Sequence, residues 1–82
     1  MEYLDLKEKA ESYIRLVRDL YLKLAFAEED PGQKEKFENE KKRHTALLKS
    51  MKWMEVEVAK PIVAEYPELI RRLREKEKRG KV

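Results

Sequence analysis

The chain has 82 residues, of which 45% are charged and 41% hydrophobic, with a net charge of +3. That length allows one domain, and a chain so short buries only about 60–65% of its unfolded surface, which keeps its core small. There is no cysteine, which excludes disulfides and thiolate metal sites, and two glycines with three prolines are too few turn residues for an all-β fold.

The first helix is expected over about residues 4–28. Leu6, Ala10, Tyr13, Val17, Leu20, Leu24 and Ala27 recur at alternating spacings of four and three, the pattern of a helix seam. Ile14, Leu16, Tyr21 and Ala25 widen that seam beyond what one partner helix needs. Tyr3, Tyr13 and Tyr21 share this broad face, whereas Leu4, Leu22 and Phe26 lie on the opposite side among charged residues. Three aligned apolar residues on a charged face point to a second contact surface.

Residues 29–33, Glu-Asp-Pro-Gly-Gln, read as a turn, with proline holding Asp30 out of helical geometry and glycine supplying permissive dihedrals. A second helix is expected over about residues 34–60, folded back on the first and placing His44 opposite Ile14–Arg18. The charge distribution favours that pairing: residues 1–30 sum to −3, and residues 31–60 to +3. Trp53 and Val56 point away from the stripe that faces the first helix. Pro61 and Pro67 then break the chain, and Pro67 opens a short third helix over about residues 67–79 that ends at Gly80, with Lys81 and Val82 frayed. Residues 61–82 carry a further +3.

One constellation carries chemistry. His44, the only histidine, sits in the middle of the apolar stripe of the second helix, one turn after Glu40. A carboxylate and an imidazole at i and i+4 can ligate a divalent metal, and a two-fold dimer would bring two such pairs together. The plainer reading makes His44 a core or subunit-contact residue. Ser12, Thr45 and Ser50 lack a base oriented by a third group, so nucleophilic catalysis is not expected and the chain reads as non-enzymatic.

The segments YLKLAFAEEDP (Tyr21–Pro31) and FENEKKRHTALLKSM (Phe37–Met51) resemble the helix–turn–helix half of rubrerythrin and ferritin-like proteins. The resemblance implies a four-helix bundle made of two hairpins, with a carboxylate-bridged di-iron centre built on Glu-x-x-His. Here Lys41 stands three residues before His44, and Ile14 stands where the first-helix ligand aligns, so most of the usual metal ligands are missing.

These features lead to an all-α antiparallel hairpin with a short C-terminal helix, assembling as a homo-oligomeric, ferritin-like four-helix bundle. The first functional reading is a structural or interaction module that self-associates through Leu22, Phe26, Trp53 and Val56. The alternative is a ferritin-like protein binding iron or a related divalent ion through Glu40 and His44; on the first reading no cofactor is expected. A weaker third reading is nucleic-acid binding through the basic surface of Arg71, Arg72, Arg74, Lys78 and Arg79. Against it, Glu68/Arg72, Arg71/Glu75, Glu75/Arg79 and Glu77/Lys81 are spaced to pair within the helix. No stretch approaches the ~18 apolar residues of a membrane span, and the first residues form no signal peptide, so a cytoplasmic protein is expected. One Asn and one Gln beside abundant Lys, Arg and Glu match the composition of heat-adapted proteins.

Overall fold

A computed structural model describes the backbone of residues 3–80 and the side chains of residues 5–79. Expectations for the side chains of Tyr3 and Leu4, the fraying of Lys81 and Val82, and the Glu77/Lys81 pair lie outside the described residues. The chain is all-α: α1 (Tyr3–Ala27), α2 (Pro31–Lys49), a single 3₁₀ turn (Met51–Trp53) and α3 (Val56–Gly80), with no strand among the described residues. α1 packs against both α2 and α3, in a molecule measuring 42 × 21 × 14 Å.

The buried positions of α1 are Ala10, Ile14, Val17, Leu20, Leu24 and Ala25, whose spacing keeps one broad face inward. Ala10 and Ile14 meet Met51, Met54, Ala59 and Ile62. Val17, Leu20 and Leu24 meet Ile70 and Leu73. Residue numbers therefore rise in the same direction along α1 and α3, α2 runs back along α1, and the topology is an up-down-up three-helix bundle with α1 in the middle. The extra width of the α1 face, which the sequence assigned to a second copy, is covered by α3 of the same chain.

α2 starts earlier than the turn residues imply. Asp30 is extended (φ −73°, ψ 118°) and caps the helix, its Oδ2 accepting from the Gln33 N–H at 3.2 Å. Pro31 takes the first helical position, where its missing N–H costs nothing. Pro31, Gly32 and Gln33 thus belong to the first turn of α2. Gly32 has no positive φ, and a Cβ there would meet only Asp30 Oδ2 at 3.7 Å, so glycine is not required.

The largest departure from the sequence reading is at residues 50–67. The second helix does not reach residue 60; it ends at Lys49. The Ser50 hydroxyl bonds the Leu47 carbonyl at 3.1 Å, and the 3₁₀ turn that follows delivers Met51 and Met54 into the core. Conversely, the prolines do not stop α3, which runs through both Pro61 and Pro67 and is as long as α1. Each proline removes one helical hydrogen bond and costs ~3 kcal/mol in a helix interior. Both rings are exposed, while Ala59, Ile62, Ile70 and Leu73 form a buried stripe along the helix. Burial of the three large ones contributes ~1.5–3 kcal/mol each, together of the same order as the two proline penalties.

Candidate functional site

α2 and α3 are held apart by rings, and a groove of about 690 Å³ opens between them. Its floor is a row of aromatic side chains. The His44 ring lies 5.8 Å from Tyr21 and 5.7 Å from Tyr66, and Tyr21 lies 6.2 Å from Phe37. Tyr21 comes from α1, one turn beyond the segment counted opposite His44. Side chains on a helix lean toward its N-terminus, which brings the Tyr21 ring back to that level.

His44 is 1% exposed, and both its ring nitrogens are engaged. Nδ1 lies 2.7 Å from the Glu40 carbonyl oxygen, and Nε2 lies 2.9 Å from the Tyr66 hydroxyl. A carbonyl only accepts, so Nδ1 carries the proton and donates it; in the neutral ring Nε2 accepts from the Tyr66 O–H. The triad Glu40 carbonyl, imidazole and phenol is a hydrogen-bonded strut between α2 and α3. Burial pushes the phenols of Tyr66 and Tyr21 above the usual value of 10.0. For Tyr66 the Arg43 guanidinium opposes that rise and the Glu40 carboxylate adds to it; for Tyr21 Glu40 adds to it.

The structure does bring Glu40 and His44 together, but in a form that does not suit a metal. The carboxylate Oε2 is 3.9 Å from the protonated Nδ1 and 3.3 Å from Arg43 Nη1. The one free lone pair of the ring, on Nε2, is covered by Tyr66. No group of three His, Asp or Glu side chains converges on a common point among the described residues. A site shared across a two-fold axis would need His44 at the surface, and it is buried. The residues do not fit a divalent ion.

The remaining sequence candidates are spread over the molecule. Leu22 and Phe26 are exposed on α1, Phe26 at 89%. Trp53 is exposed in the 3₁₀ turn at the other end of the bundle, with Lys52 Nζ 5.4 Å from its ring, and Val56 is half-buried. Along α3, Arg71 bonds Glu68 and Glu75, and Arg72 contacts Glu68 at 3.4 Å, leaving Arg74, Lys78 and Arg79 as the more open cations of that surface. The Arg71 bond holds the Glu68 carboxyl below its usual value. Thr45 and Ser50 donate to backbone carbonyls. Sequence reasoning missed Tyr66 because it took Pro67 for a helix start. Carrying the Ala59, Ile62, Ile70, Leu73 stripe through Pro67 places Tyr66 on the inner side of α3.

No family model, no curated protein and no solved structure matches the chain. Among the described residues, no helix is long and apolar enough to cross a membrane.

Proposed function

We propose that the protein is a non-enzymatic helical module that associates with a second copy of itself through the outward stripe of α1. The stripe is Asp5, Glu8, Ser12, Arg15, Asp19, Leu22 and Phe26, all exposed and spaced three or four residues apart. Its polarity is the observation that carries the reading. At the N-terminal end, Asp5, Glu8, Lys9, Ser12 and Tyr13 border a recess of about 470 Å³, with two carboxylates to one ammonium. At the other end Phe26 projects beside Leu22, with Lys23, Lys76 and Glu77 on one side and Lys34, Lys41, Lys42 and Glu38 on the other, five lysines to two carboxylates.

A two-fold contact must be self-complementary. Two α1 helices set antiparallel about an axis between Arg15 and Asp19 meet that condition. Each Phe26 enters the partner's acidic-edged recess, and the lysines around it face Asp5 and Glu8. Burying Phe26 and Leu22 gives ~1.5–3 kcal/mol apiece, and the charge match adds orientation more than affinity, so the dimer is a moderate one. The ferritin-like likeness enters only as the α1–α2 hairpin. α3 occupies the flank that a second hairpin would fill, so this assembly pairs three-helix bundles.

The absence of cysteine makes the arrangement directly testable. Asp19→Cys places the only thiol near the axis and is expected to form a disulfide-linked dimer under mild oxidation. Ala64→Cys, exposed on α3, is the control. Equal cross-linking of both variants would refute the α1 contact.

A further inference from the structure

The α2–α3 groove is a second site, which shares Lys76 with the surroundings of Phe26 and otherwise lies apart from the α1 stripe. Four cationic side chains line it, Lys36 and Arg43 from α2 and Arg72 and Lys76 from α3, against one carboxylate, Glu40. The pairing among them is uneven. Arg43 holds Glu40, and Arg72 lies at 3.4 Å from Glu68. Lys36 and Lys76 have no carboxylate partner among the described residues, and Lys76 Nζ rests 5.7 Å from the centroid of the Phe37 ring, next in sequence to Lys36. The two ammonium groups and Arg72 line the groove together with the apolar side chains of Phe37, Leu69 and Leu73. Tyr66 and His44 line it as well.

We propose that this groove binds a small organic phosphate. Its dianionic head would lie among Lys36, Lys76 and Arg72, and its apolar or aromatic body along Phe37, Leu69 and Leu73 toward Tyr66. The size supports a small molecule, since ligand pockets span roughly 300–1,000 Å³. Charge supports a phosphate, because four cationic side chains against one carboxylate leave an excess of positive charge that suits a dianion. The floor supports a body attached to it, since inorganic phosphate alone leaves the apolar surface wet. A nucleotide and a lipid phosphate share this chemistry.

Octyl phosphate, adenosine monophosphate and inorganic phosphate, each titrated into the full chain and followed by amide NMR shifts, separate the possibilities. Octyl phosphate or the nucleotide is expected to shift residues 36–44 and 66–76, binding at least tenfold more tightly than inorganic phosphate. Which of the two binds identifies the body. Lys36→Met and Lys76→Met should each weaken that binding about tenfold, whereas Lys49→Met, outside the groove, should not; circular dichroism of each variant checks that the helices remain. Equal affinity for all three probes, shifts centred on Arg74, Lys78 and Arg79, or insensitivity to Lys36→Met and Lys76→Met would each overturn the proposal.

Discussion

At the scale of single residues, the His44–Tyr66 bond is the polar feature with the most consequence. Tyr66→Phe leaves Nε2 of a buried imidazole without a donor, which costs ~1–3 kcal/mol, and urea unfolding at neutral pH measures it. The same phenol sets an alkaline limit. Tyr66 and Tyr21 hold their protons in the native state to higher pH than in the unfolded chain, mainly through burial. Their contribution is complete below pH 10, the ordinary tyrosine value, and is lost as pH rises through the higher native values. Stability should therefore decline above pH 10, and Tyr66→Phe should decline less steeply. An identical alkaline slope in the variant would show that Tyr66 does not carry this linkage.

At the scale of elements, α1 was legible in the sequence to within two residues, because an uninterrupted four-three apolar repeat over 25 residues has few alternatives. The start of α2 was nearly so, through the Asp30-Pro31 pair. The rest was obscured by two features that local chemistry ranks in the wrong order. Residues 50–55 contain neither glycine nor proline, yet the helix ends there, and the turn keeps Met51 and Met54 in the core while sending α3 back along α1. Pro61 and Pro67 look like stops, yet a long buried stripe carries α3 through both. The placement of His44 and Glu40 on one face was readable from spacing. The groove was not, because half of it belongs to a helix that the prolines disguised. If packing is what overrides the prolines, Pro61→Ala should restore the lost hydrogen bond to the Glu57 carbonyl. The expected gain in unfolding free energy is about 1–2 kcal/mol, less than the full proline penalty because the unfolded chain also becomes freer. A loss of stability would mean that the backbone at Pro61 is shaped to proline.

At the scale of the whole molecule, α3 changes the argument for assembly. A two-helix hairpin with apolar residues on two sides needs a second copy to fold, whereas a three-helix bundle whose α1 face is covered by α3 of the same chain does not. The proposed self-association therefore joins monomers that are already folded, and it should respond to concentration and salt. The decisive measurement is sedimentation equilibrium of the 9.9 kDa chain, of Phe26→Glu, of Glu8→Lys, and of Glu8→Lys combined with Lys23→Glu. Loading concentrations would run from about 10 µM to about 1 mM, the range of moderate interfaces. The wild type should approach twice the monomer mass and fall back as salt screens the lysine–carboxylate contacts. Phe26→Glu and Glu8→Lys should stay monomeric, and the double charge exchange should recover part of the dimer. A wild type that remains at 9.9 kDa throughout, or a dimer indifferent to Phe26→Glu, would contradict the account.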